Sequence, residues 1–216
     1  MDLTYWLGLV GLLVAATILT EVFVHQIVRS FGVSRINMRS LVRWVAVFGG
    51  LLVLAFLHLP FMQLVFVGLF AVSAGTDFET TYLPPDWYVY GCTALNIGVA
   101  YLSGVEAFRA VVVTQALCFG LAVFLAYLGA WAGGDVKLLM QYGAAAGSLP
   151  IAGVALVIEQ LFRIGYLMLL YVVKLVTHRN SSVAWARTKS ASIGPHGGVA
   201  FAGLILALAF AGRIQI

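Results

Sequence analysis

From Trp6 to Ile27 the chain runs through apolar side chains interrupted mainly by Glu21 and His25. A stretch of that length matches the roughly 20 residues an α-helix needs to cross a hydrocarbon core about 30 Å thick. Lipid offers no water to backbone N–H and C=O groups, so the segment has to satisfy its hydrogen bonds internally, as a helix. The pattern recurs along the sequence, and no stretch alternates in the manner of a barrel strand. Of the 216 residues, 62% are hydrophobic and 9% charged, with a mean hydropathy of +1.04. That leaves too little charged surface for a soluble domain. The sequence predicts an all-α polytopic membrane protein, residues 1–216 forming a single transmembrane domain, a bundle of about eight transmembrane helices in the lipid bilayer.

The breakers divide the chain. Met1 to Tyr5 carries Asp2 and no basic residue, so the first apolar run reads as an ordinary span and not as a removable signal. A basic loop, 28–43, holds Arg29, Arg35, Arg39 and Arg43. The stretch from Trp44 to Ala74 is too long for one span, and His58-Leu59-Pro60 is expected to split it into a helical hairpin. A polar loop is expected from Gly75 to Asp86 and a fourth span from about Trp87 to Gly104. Glu106 and Arg109 would mark a short turn before a fifth span, Ala110 to Trp131. A short sixth span starts at Val136 and ends near Ser148-Leu149-Pro150; a long seventh reaches Val176. The second basic loop, 177–193, holds His178, Arg179, Arg187 and Lys189, with Lys174 just before it, and the eighth span follows Gly194-Pro195.

The two basic regions carry eight of the twelve Lys and Arg residues, and alternation of eight spans puts both on the same side. By the positive-inside rule that side is cytoplasmic. The expected location is the inner (cytoplasmic) membrane, multi-pass. The same alternation brings Asp77, after span three, and Asp135, after span five, to the cytoplasmic face. The net charge of +4 therefore reports topology, and no nucleic-acid partner is expected. Cys92 and Cys118 have no CxxC partner and read as small buried hydrophobes. With the scattered His25, His58, His178 and His196 they assemble no zinc site, so neither metal nor cofactor is expected.

Eight acidic residues allow a full census. Asp2 and Glu106 fall at the outer surface. Glu21 and His25, and Glu159 and Arg163, are spaced i, i+4, as local pairs on a helix would be; a charge at the depth of Glu159 needs such a partner or a cavity. Asp77 closes an apolar helix, and Asp135 opens one directly after Gly133-Gly134, where missing side chains allow close backbone approach. Taken alone, Gly-Gly-Asp fits equally a turn with an aspartate N-cap.

The segment Asp77-Phe78-Glu79-Thr80-Thr81-Tyr82-Leu83-Pro84 resembles the first catalytic motif of the type IV prepilin peptidases. Gly134-Asp135-Val136-Lys137-Leu138-Leu139 is similar to their second, Gly-x-Gly-Asp followed by x-Lys-Leu. Ile193-Gly194-Pro195 before an apolar helix resembles their last cytoplasmic loop. The similarity spans about Arg43 to Phe210, in order. Two departures stand out: Ala132 replaces the first glycine of Gly-x-Gly-Asp, and the cysteine-rich insert that many members carry after the first span is missing. The resemblance is thus to the short, peptidase-only members, without N-methyl transfer.

What the resemblance implies is an intramembrane aspartic endopeptidase with Asp77 and Asp135 catalytic. Gly133, Gly134, Lys137, Glu79, Leu83 and Pro84 would support the site or the substrate. The implied partner is a pilin or pseudopilin precursor, cut between its basic leader and its hydrophobic helix. Glu79 and Asp86 could attract that leader; Lys137 could favour the ionised dyad, position the chain, or snorkel to the interface. Two carboxylates held close in a low-dielectric site share a proton, a state suited to amide hydrolysis. The competing expectation is a small transporter or channel component, with Asp77 and Asp135 lining an ion path.

Overall fold

The computed structural model describes residues 3–33, 37–80, 82–128, 133–178 and 196–214. Among them are eight helices: α1 (Leu3–Phe31), α2 (Asn37–Phe56), α3 (Phe61–Thr80), α4 (Asp86–Ser103), α5 (Val105–Tyr127), α6 (Gly133–Ala146), α7 (Leu149–His178) and α8 (His196–Ile214). No strand occurs among the described residues. Four helices contain segments long and apolar enough to cross a membrane: Leu3–Phe31, Phe61–Phe78, Val105–Tyr127 and Leu149–Thr177. Shorter apolar segments, Trp44–Phe56 and Val199–Ala211, lie in α2 and α8.

The breakers act as their chemistry requires. At the end of α2 the Leu59 N–H donates to Leu54 O (3.3 Å) and the His58 N–H to Ala55 O (3.0 Å). His58 sits in the left-handed region at φ 59°. These are the two bonds of a Schellman cap, a place normally held by glycine. Pro60 then starts the next helix, its carbonyl accepting from the Gln63 and Leu64 N–H groups. Tyr5 ties α1 to this corner by donating to Leu59 O (3.0 Å). His58→Gly should stabilise the protein by about 0.5–1 kcal/mol, because relief of left-handed strain exceeds the added freedom of the unfolded chain. Thermal unfolding in detergent reads it.

Three expected boundaries change. The loop expected over 28–43 is shorter, since α1 continues through Phe31 and α2 begins at Asn37. Glu106 and Arg109 lie inside α5, because Gly104, at φ 116°, completes the reversal from α4 in a single residue. Asp77 and Glu79 belong to the end of α3, not to a loop. The segment's hydroxyls close on its own backbone: Thr76 Oγ1 donates to Val72 O and Thr80 Oγ1 to Thr76 O, both at 2.7 Å. Polar residues thereby continue the helix. Of the second basic loop, 177–193, only Thr177 and His178 fall within the described residues, at the end of α7.

Helix α3 is the axis of the bundle. It packs against α1, α2, α4, α6 and α8, and its residues from Leu64 to Thr76 are buried apart from half-buried Val65 and Leu69. A helix apolar all round belongs in the interior. The outer helices instead turn apolar stripes outward: Val10, Val14, Ile18 and Val22 on α1 are each more than half exposed. On α7, Leu161, Ile164, Met168 and Val172 are also more than half exposed. Such continuous exposed apolar faces suit lipid and not water.

Candidate active site

Two contacts define how α3 lies on α6. Gln63 Nε2, at the start of α3, donates to Ala146 O at the end of α6 (3.4 Å). Further along, the Phe70 and Tyr142 rings meet edge-on with centroids 5.5 Å apart. The helices are therefore antiparallel. Asp77 stands seven residues beyond Phe70, and Asp135 seven residues back from Tyr142. Seven residues are nearly two full turns, about 10.5 Å, and return to almost the same face. The register thus brings Asp77 and Asp135 to one level of the α3–α6 interface, on the faces that meet at Phe70 and Tyr142. Both side chains are half-buried.

The segments following the two aspartates meet as well. Beyond α3 the chain turns through Tyr82, stacked on Phe31 at the end of α1 (5.1 Å), then half-buried Leu83 and buried Pro84. Pro85 starts α4, accepting from the Tyr88 N–H (2.9 Å), and Asp86 follows. Lys137, two residues after Asp135, bridges to Asp86 at 2.5 Å. The bridge links the start of α6 to the start of α4. The Asp86 charge is correspondingly matched within the chain. With side chains 32% and 63% exposed, solvent screens the pair. Lys137→Ala or Asp86→Ala should cost less than about 1 kcal/mol in thermal unfolding.

Gly133 and Gly134 form the first turn of α6, immediately before Asp135. Glu79 lies in the last turn of α3, and its side chain lies outside the described residues. Among the described residues no group of three His, Cys, Asp or Glu could hold a metal ion. Cys118 is buried and Cys92 half-buried, both as free thiols.

Beside this level lies a cavity of about 420 Å³ between α2, α3, α7 and α8. Its α3 wall includes Ala74, Gly75 and Phe78, which bracket Asp77; Phe162 and Tyr166 of α7 and Phe201 of α8 face them. A second cavity, about 390 Å³, opens at the opposite end of the bundle, among Gln63, Asn96, Ser103 and Ser148.

The interior holds polar groups that apolar packing does not require. Ser73, Gln141, Tyr142 and Glu159 are each at most 3% exposed. Each keeps at least one side-chain atom without a hydrogen-bond partner. Ser73 precedes Asp77 by one turn of α3. Glu159 of α7 lies within electrostatic reach of Arg163 and of Asp135. Its expected local pairing with Arg163 is therefore only part of its surroundings. Asp135 and Glu159 lie equally far from Gly147, the turn of the α6–α7 hairpin, a spacing that gives their shared level but not which way they face.

Comparison with known proteins assigns the chain to no family: no family model, curated protein or solved structure matches it.

Proposed function

We propose that the protein is an intramembrane aspartic endopeptidase that cleaves pilin-like precursors at the cytoplasmic face of the inner membrane. The observation that carries this reading is the α3–α6 register, which brings two carboxylates distant in sequence to one level at one end of a helical bundle. The resemblance of the segments around Asp77 and Asp135 to the prepilin peptidase motifs supports it. So does the Lys137–Asp86 bridge, which joins the tails of those segments.

In the proposed reaction the pair holds one proton between two carboxyls. The ionised member takes a proton from water as the oxygen attacks the scissile carbonyl carbon; the protonated member donates to the carbonyl oxygen. Collapse of the tetrahedral intermediate breaks the C–N bond and returns a proton to the leaving nitrogen, giving a carboxyl and an amine. The apolar cavity beside Asp77 suits the hydrophobic segment of a precursor, and the polar end of the bundle suits its basic leader.

The test is incubation of the protein in proteoliposomes with a precursor carrying a basic leader and an apolar helix, with mass analysis of the products. Cleavage between leader and helix is expected; an intact precursor contradicts the proposal. The transporter reading has its own support in the buried Asn96, Gln115 and Gln141, each with an unpartnered amide atom. Ion flux across the same proteoliposomes without cleavage would favour it.

A further inference from the structure

The α6–α7 hairpin turns at Gly147, at φ 72°. Asp135 lies twelve residues before that glycine and Glu159 twelve after, so the two fall at one level of the hairpin, within electrostatic reach of each other. Glu159 is 2% exposed, and its Oε2 has no hydrogen-bond partner. The Tyr142 hydroxyl, on a fully buried side chain, also has none, and Tyr142 and Glu159 interact electrostatically. Helical side chains lean toward the N-terminus, so Tyr142 reaches toward the Asp135 end of α6. The α7 backbone is held there by α8: a Cβ on Gly203 would lie 2.8 Å from Ala155 O and 3.2 Å from Glu159 N. A carboxyl with an unsatisfied oxygen is costly at this depth, and packing alone would be served by leucine.

We propose that Glu159 is a positioning residue of the site, a third carboxylate at the level of Asp135 that sets the proton count of the aspartate pair. This rests on the peptidase reading for its catalytic consequence, though the coupling of Glu159 to Asp135 does not. Among the described residues, Glu159 lies within electrostatic reach of Asp135 and Tyr142 from α6 and of Arg163 from its own helix. From α5, Cys118 reaches Tyr142; α8 presents Gly203, which does not titrate.

Two measurements decide it. In the cleavage assay, Glu159→Gln should move the alkaline limb of the pH–rate profile to lower pH by about half a unit or more, since a like charge no longer opposes loss of the pair's shared proton. KM should stay within about twofold. Glu159→Asp, which keeps the carboxyl, should recover most of the wild-type profile, and it serves as the readable variant if the amide does not fold. An unmoved limb, or an equal loss of rate at every pH, overturns the proposal. The second readout needs no substrate. The infrared carboxyl stretching band that Glu159→Gln removes should titrate at a different pH in Asp135→Asn than in wild type. An unchanged midpoint overturns the proposal even if the enzyme cleaves; a displaced midpoint without cleavage by any variant keeps the coupling and discards the peptidase reading.

Discussion

Asp77→Asn and Asp135→Asn should each lower the rate of precursor cleavage by about a thousandfold or more, roughly 4 kcal/mol of activation free energy. An amide matches a carboxyl in shape, so the bundle should keep its thermal midpoint in both variants. It can neither accept the proton of the attacking water nor share one with its neighbour. In the proposed mechanism the two carboxyls act as a unit, so the double variant should be little worse than either single one. Single-turnover cleavage in proteoliposomes checks both the size of the loss and its lack of additivity. Additive losses would mean that the aspartates act in separate steps.

The largest effect on stability is expected at Gly203. The α7–α8 contact is the most extensive between any two helices, and the atoms nearest an added Cβ there are backbone, Ala155 O at 2.8 Å and Glu159 N at 3.2 Å. Backbone cannot rotate aside, so α8 would have to shift away from α7. Gly203→Ala should therefore cost about 1–3 kcal/mol, the range for overpacking a filled interior. Gly68 is the control. The three atoms nearest a Cβ there all belong to the Leu12 side chain, with Cδ1 at 2.7 Å, and a leucine end can change rotamer. Gly68→Ala should cost less than half as much in the same unfolding experiment in detergent.

The helices among the described residues and most of their ends were legible in the sequence because the breakers are chemically unambiguous. Leu59-Pro60 ends one helix and starts the next, and Gly104 and Gly147 supply positive φ at the two tightest turns. The end of α3 was not legible. Thr76 and Thr80 read as loop residues, yet in an apolar setting their hydroxyls bond back to the carbonyls four residues earlier, and the helix absorbs them. Lys137 and Asp86 were both noted separately, but their bridge depends on α4 and α6 starting at the same end of the bundle. Glu159 was read through Arg163 because i, i+4 spacing is visible in a sequence. Its relation to Asp135 depends on which way α6 and α7 face, and that is decided by packing around Gly203 and Tyr142.

The central claim, that Asp77 and Asp135 share one level of the α3–α6 interface, is tested most directly by cross-linking. Asp77→Cys and Asp135→Cys would be combined in a protein whose Cys92 and Cys118 are replaced by alanine, then treated in membranes with a short bifunctional thiol reagent. The account predicts an intramolecular cross-link for this pair and none when Asp77→Cys is combined with Ala146→Cys at the far end of α6. Cross-linking of the second pair, or of neither, would contradict the register and with it the aspartate dyad.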